Sequence, residues 1–393
     1  MVAAQRANGG KEVRVDKDQK KYLDSQLDEF ASKVDDLPES EVPAGMDRRK
    51  VLGLIGASGA ALSVPALLAA CGGSSSSSAS GVGNFPETPK WKWVFVNHVT
   101  TNPFFVPTQY GIEDTDAIFN TTHQWTGSES SDVSQMVSAM NTAISSKADG
   151  IAVCLIDTKA FNGPTEKALA AGIPVIAYNA DVPPGNPNER LAYIGQDLFV
   201  SGQKMGERIL ELIPSGDVVG FIATPGSLNI QPRIDGAKQA IADSGKPVNF
   251  TQVATGAQVN QELSTIDAYY QGHKDLKGMF AVDAGSTQGV AQVMQKYNLP
   301  SKGIHGGGYD LLPTTLNLIN KGFLDFTIDQ QPYQQGFYPA TQLFLYKISG
   351  GLMAPSDTNT GLLFVTKDNV KPYLNTKTRY EGSSSSQQYV TST

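Results

Sequence analysis

The chain has 393 residues, 18% charged and 40% hydrophobic, with 39 Gly, 22 Pro and a formal net charge of -7. That composition excludes wholesale disorder and fibrous repeats, and the acidic balance leaves no concentrated basic surface for nucleic acid. Two cysteines, Cys71 and Cys154, lie far apart in unlike surroundings, so neither a disulfide scaffold nor a Cys-rich zinc site is available and core burial must hold the fold.

Residues 1–45 read as a polar extension with at most one short amphipathic helix around Tyr22 to Val34. At 46–70 the composition changes: Arg48-Arg49 precede twenty uncharged residues, Val51 to Ala70. A basic head, an apolar stretch and small residues before a cut site have the form of an export signal, the alternative being a membrane-spanning helix. The extension stands upstream of a signal that normally begins a protein, which fits a misassigned start. Residues 71–89 form a Ser-rich flexible linker, with Ser74 to Ser78 as its centre.

From Trp91 onward, short runs rich in Val, Ile, Phe and Tyr alternate with helix-length amphipathic segments. The runs 91–98, 150–157, 173–179, 191–195, 217–223, 248–254, 277–282 and 304–309 have the length and composition of buried strands. Between them, Val133, Met136, Val137, Met140 and Ile144 recur at three and four spacing and make one apolar helix face. Alternation over about 280 residues predicts an α/β protein with two doubly wound parallel-sheet lobes. Cys154, inside the run AVCLI, reads as a buried small hydrophobe.

The chain contains no Walker A sequence, HExxH, G-x-S-x-G elbow or dinucleotide G-x-G-x-x-G in its first unit. Its polar candidates stand instead just after strands, where open sheets bind ligands. His98-Val99-Thr100-Thr101-Asn102-Pro103-Phe104-Phe105 follows the first run. Asn102 with the flat faces of Phe104 and Phe105 suits a polyol, whose hydroxyls need hydrogen bonds and whose C–H faces need a ring. The alternative is that Asn102 caps the following helix while both Phe enter the core. Asn179 and Asp181, Asp283, Asp310 and Asp329-Gln330-Gln331 follow later strands, and Arg233 opens a helix. One Arg among short acids and amides can bracket a neutral hydroxylated ligand, although each residue alone could be a cap or turn residue.

Taken together, TTNPFF (100–105), KADGIAV (147–153), AGIPVIAYN (171–179), YIGQD (193–197), QPRIDGAKQA (231–240), the run Asp283 to Gly289, GGGYD (306–310) and FTIDQQPYQQGFYP (326–339) carry a resemblance. The chain resembles the type I periplasmic binding proteins of ABC importers, in the ribose and simple-sugar branch, over about Trp91 to Leu374. The resemblance implies a non-enzymatic receptor whose lobes close around one small sugar or polyol and then dock on ABC permease subunits, with no cofactor or metal, as a monomer. It implies ligand contacts at Asn102, Phe104, Phe105 and Asn179 in the first lobe and at Arg233, Asp283, Asp310 and Gln330 in the second. Where the ribose member has an aspartate followed by arginine, this chain has Asn179-Ala180. Trp125 lies outside the ribose pattern and is either an added aromatic wall or a core residue.

The same resemblance implies three crossings between lobes, near Gly195, Gln330 and Pro355. Lobe one would then be 90–195 plus 331–355, lobe two 196–330 plus 356–377, and 378–393 a loose tail. Leu68-Ala69-Ala70-Cys71 resembles a lipobox, which implies lipidation of Cys71, a membrane anchor and a place on the outer cell surface or in the periplasm. A surface sensor without transport would have the same lobes, and an exported enzyme using Asp283 and Asp310 as acid and base is the remoter reading.

Overall fold

The first strand, β1 (Lys92–Asn97), has five buried residues in succession after Lys92, as a strand covered on both faces requires. The structure is a computed structural model in which residues 85–387, 389 and 390 are described. The expected extension 1–45, export signal 46–70, Cys71 and most of the linker 71–89 fall outside those residues.

After β1 the chain runs through a 3-10 turn (Pro103–Phe105), α1 (Val106–Phe119), β2 (Thr122–Gly127), α2 (Val133–Ser145), β3 (Gly150–Val153), α3 (Asn162–Ala170), β4 (Val175–Tyr178) and β5 (Ala192–Gly195). α4 (Leu198–Leu212), β6 (Gly216–Ile222), α5 (Gln231–Ser244), β7 (Val248–Ala254), α6 (Val259–Gly272), β8 (Gly278–Ala281), α7 (Ala284–Lys296), β9 (His305–Tyr309), α8 (Pro313–Asn320) and β10 (Phe326–Asp329) follow. The chain ends through α9 (Gln334–Ile348), β11 (Thr358–Asn359), β12 (Leu363–Thr366) and α10 (Lys371–Asn375).

Two six-stranded sheets result, in the orders β11-β5-β4-β3-β1-β2 and β12-β10-β9-β8-β6-β7. The described pairings are parallel except β10 with β12. In each sheet the order reverses between its first and third strands, which opens a crevice at the strands' carboxyl ends. Lobe two shows why both faces of its sheet are apolar. Val219, Phe221, Met279 and Ala281 feed one buried cluster, while Val218, Ile222, Phe280 and Val282 alternate into the other. The expected fold class is the one seen.

Three findings correct the sequence reading. β2 and α1 were not marked, because THQWTG is a half-buried edge strand with no apolar run. The third crossing lies at 360–362 and not near Pro355, since Thr358 and Asn359 still pair with Ile194 and Gly195 in the first sheet. Nor is 378–393 loose throughout: Arg379 reaches Glu113 at 2.6 Å and Asp114 at 3.0 Å on α1, and Thr378 is buried.

Candidate functional site

Lobe one's contribution begins with the turn after β1. Asn102 Oδ1 accepts from the Phe104 amide at 2.9 Å, so it does cap the 3-10 turn, and Pro103 fixes the turn's first φ. The turn delivers Phe104 and Phe105 into the lobe-one core, with exposures of 8% and 1%. Phe105 lies 5.7 Å from Trp125, which in turn stacks on Phe95 at 6.4 Å. Trp125 Nε1 donates to the Thr100 carbonyl at 3.0 Å, tying β2 to the turn. The core reading of these rings is therefore correct, and Phe104 also lines a cavity against lobe two. Val99, Thr101 and Asn102 face Gln258–Asn260 of lobe two around a cavity of about 200 Å³. Phe104 faces Leu311 and Leu312 around another of about 130 Å³.

The hinge is a braid of amides. Thr360 donates its amide to Gly195 O at 3.0 Å and its hydroxyl to Gln330 O at 2.8 Å, while Gln196 Nε2 donates to Gly361 O at 3.0 Å. All three crossings are thus bonded side by side. Gln335, fully buried at the start of α9, gathers the expected residues: its Nε2 donates to Gln330 Oε1 at 3.2 Å and its Oε1 accepts from Asn179 Nδ2 at 3.0 Å. Gln330 Nε2 then donates to Asp310 Oδ1 at 2.7 Å. Asn179, Gln335, Gln330 and Asp310 form one chain of hydrogen bonds from lobe one through the hinge to lobe two.

In lobe two, Arg233 is 2% exposed and stacks on the Tyr309 ring at 4.1 Å. Nη1 donates to Val282 O at 2.8 Å and Nη2 to Gln196 Oε1 at 3.3 Å, while Nε has no hydrogen-bond partner among the described residues. Asp283 caps α7, accepting from the Ser286 amide at 2.9 Å, and its other oxygen accepts from Ala223 N at 2.9 Å. Burial pushes the Asp310 carboxyl up to about 7 against the pull of Arg233, and Asp283 is also raised, again by burial first. Asn179, Asp310 and Gln331 hold φ of 63, 76 and 58°, a left-handed backbone at three strand ends where the chain turns into the cleft.

The lobes touch across the cleft: Leu228 N donates to Ile156 O at 3.1 Å, and Leu228 packs on the lobe-one core. Asp181 is not part of this gathering, because Arg190 pairs with it. Cys154 is fully buried, with its thiol pushed well up by burial. Sequence reasoning missed Gln335, Gln196, and Glu262 on α6, whose carboxyl is pushed up to about 9 by burial and then by Asp283. The second QQ of QQPYQQGF was a visible signal for Gln335 only once its helix start was known.

With this geometry in view, the relatives are informative. A family model described as a periplasmic binding protein domain matches residues 93–350. The xylose/arabinose-binding protein XylF of Sulfolobus acidocaldarius is 54% identical over 314 residues, 77% of this chain and 77% of that protein. A solute-binding protein from Burkholderia graminis, solved with D-arabinose, superposes with a TM-score of 0.67 at 25% identity over 74% of this chain and 99% of its own. A carbohydrate transporter protein from Acidothermus cellulolyticus, solved with myo-inositol, gives 0.66 at 25% identity over 75% and 100%. The family model, the 54% identity and the superposition agree, and this chain is a member of the periplasmic binding protein family.

Proposed function

We propose that this protein captures one small neutral sugar, a pentose, between its lobes and hands it unchanged to the permease subunits of an ABC importer. What supports the reading is the chain of hydrogen bonds from Asn179 of lobe one through Gln335 and Gln330 at the hinge to Asp310 of lobe two. On this reading the rings and amides of lobe one (Asn102, Phe104, Phe105, Trp125, Asn179) and the charges of lobe two (Arg233, Asp283, Asp310), with Gln330, contact the ligand. A pyranose presents C–H faces to rings and hydroxyl edges to guanidinium, amide and carboxylate. The 54% identity to a xylose/arabinose-binding protein supports a pentose.

Ligand enclosed by both lobes favours the closed state, a population shift about the three crossings. Cleavage at the lipobox and acylation of Cys71 would hold the exported body at the outer membrane surface, where more than one acyl chain gives stable attachment. Calorimetry and thermal shift of the full chain against D-xylose, D- and L-arabinose, ribose, glucose and myo-inositol test the reading. Micromolar or tighter binding of a pentose, with the sugar recovered unaltered, is expected. A flat panel from folded protein would overturn the pentose, and a converted sugar would overturn capture without chemistry.

A further inference from the structure

The cleft lies at the carboxyl ends of the strands, and at the opposite pole of lobe one, beside their amino ends, four exposed large hydrophobic residues gather. Phe85, 47% exposed, is where the described chain begins. Its ring lies edge-on to Phe119 at 5.9 Å and to Phe344 at 5.4 Å, and those two stack on each other at 4.2 Å near the ends of α1 and α9. Ile118 is exposed in the last turn of α1. Just past α9, Gly350 and Gly351 take the left-handed backbone, with φ of 63 and 89°, and Leu352 and Met353 follow at 92% and 51% exposure. The turn is bonded: Gly351 N donates to Tyr346 O at 2.9 Å and Met353 N to Ser349 Oγ at 2.9 Å. A leucine held out by a bonded turn gains nothing from the fold itself, and a contiguous apolar patch of this kind marks a contact surface.

Lysines border the patch. Lys90, Lys92 and Lys147 are exposed, and Lys347 lies 5.7 Å from the Trp91 ring and 3.6 Å from Asp149. The acids beside them are Glu87, Asp116 and Asp149, and Asp116 already accepts from the Thr121 hydroxyl at 2.6 Å. An apolar tip bordered by long cationic side chains suits anionic headgroups and the acyl chains just beneath them. The direction of the chain favours that occupant. Residues 71–84 join Phe85 to Cys71 and to the uncharged run Val51 to Ala70, and these fourteen residues span at most about 50 Å even fully extended. Whichever part of 51–71 enters a bilayer, this pole is the part of the folded body that the chain holds nearest to it.

We propose that this pole of lobe one is a lipid-docking surface: Ile118, Leu352 and Met353 enter the acyl boundary of an anionic bilayer, and Lys90, Lys92, Lys147 and Lys347 bind its headgroups. This rests on the anchoring half of the reading above and adds to it a second membrane contact, made by the folded body. Docking by the strands' amino ends leaves the cleft, at their carboxyl ends, open to sugar.

The full chain, extracted from membranes and returned to vesicles of phosphatidylcholine with about one third phosphatidylglycerol, tests the proposal. Flotation with the vesicles reads the anchor. Fluorescence reads the pole: the emission added by Leu352→Trp should fall about twofold or more when the acyl chains carry bromine, whereas that added by Leu363→Trp, on an exposed site of lobe two, should not change. Adding Met353→Asp should abolish the quenching, and the triple variant Lys90→Gln, Lys92→Gln, Lys147→Gln should weaken it, each with D-xylose affinity unchanged. A chain that floats while Leu352→Trp is quenched no more than Leu363→Trp would overturn the docking and keep the anchor. A chain that does not float would overturn both. Equal quenching in pure phosphatidylcholine would strike the lysines from the surface. Unquenched Leu352→Trp, with a wild-type dimer that Leu352→Asp turns into a monomer, would give the patch to a second copy of the chain and overturn the lipid. Absence of pentose binding moves none of these readings, so failure of the sugar claim is told apart from failure of the docking.

Discussion

Lobe one and lobe two are built on the same strand order, yet their candidate site residues have opposite chemistry. Lobe one brings neutral groups: Phe105, Trp125 and Tyr178 sit in one ring cluster, with Asn179 at the end of β4. Lobe two brings charge, with Arg233 stacked on Tyr309 and pulling on both Asp283 and Asp310. The difference teaches where each kind of group can be prepared in advance. Aromatic faces can be part of a core and still present an edge to the cleft, because they need no polar partner. Charges removed from water need polar compensation nearby, and lobe two supplies it to Arg233 through the Val282 carbonyl, Gln196 Oε1 and the Tyr309 face, with Asp283 and Asp310 acting through space.

Breaking that network should give the largest effect. Arg233→Met keeps much of the volume and removes both the hydrogen bonds to Val282 O and Gln196 Oε1 and the charge that acts on Asp283 and Asp310, so a loss of about 1.5–3 kcal/mol is expected in urea unfolding. Pairing it with Asp310→Asn should restore part of the loss, because one of the stranded acids is then gone. A single variant as stable as wild type would show that the charges of lobe two are solvated after all, and the contrast between the lobes would fail.

The contrast sharpens with pH, because the lobes titrate with opposite signs. In lobe two, burial raises Asp310 to about 7, Asp329 to about 6 and Glu262 to about 9, the last helped by Asp283. Each folded value exceeds the unfolded one, so the folded chain binds more protons between them and stability falls as pH rises through that window. The slope is up to about 1.4 kcal/mol per pH unit for each group. In lobe one, His98 is depressed to about 3, so the unfolded chain binds its proton first and stability rises with pH from about 3 to 6.5. Urea unfolding followed from pH 3 to 9 should show Asp310→Asn flattening the descending limb between about 4 and 7. His98→Phe should flatten the rising limb below about 6.5. Identical pH profiles in all three proteins would mean that neither group is buried in the folded state.

Much of this was legible in the sequence, for reasons that also explain what was not. Buried parallel strands advertise themselves as apolar runs, so GIAV in β3 and VIAY in β4 were plain, and the polar residues just beyond them pointed to the cleft. β2 was hidden because an edge strand needs no apolar run, and its Trp125 could be weighed as wall or core but not placed. It packs on Phe95 beside the lobe-one core and is partly buried, which is the core alternative. Gln335 was hidden for a different reason: a glutamine shows its partners only when a hinge brings Asn179, Gln330 and Thr360 around it. The third crossing was misplaced because a two-residue strand, β11, has no sequence signal beyond its pairing with β5.

The smallest expected effect concerns what joins the lobes, and the carboxyl-terminal segment carries it. From α10, which belongs with lobe two, the chain passes to α1 of lobe one. There Arg379 bonds Glu113 and Asp114, lies 4.3 Å from the Tyr110 ring, and is followed by Tyr380 at 5.0 Å from Tyr333. This is a fourth passage between lobes, and it rests on partly exposed ion pairs: the Glu113 side chain is 49% exposed. Pairs of that kind are worth about 1 kcal/mol or less. Arg379→Ala should therefore lower stability by about that much, while limited proteolysis within 379–387 should quicken far more, because the segment has few other ties. Arg379→Lys should recover little of either effect, since an ammonium cannot span both carboxylates while lying flat on Tyr110. Cleavage no faster than wild type in Arg379→Ala would assign the docking to Tyr380 on Tyr333, leaving the passage apolar in character, and Tyr380→Ala would then be the variant that frees it.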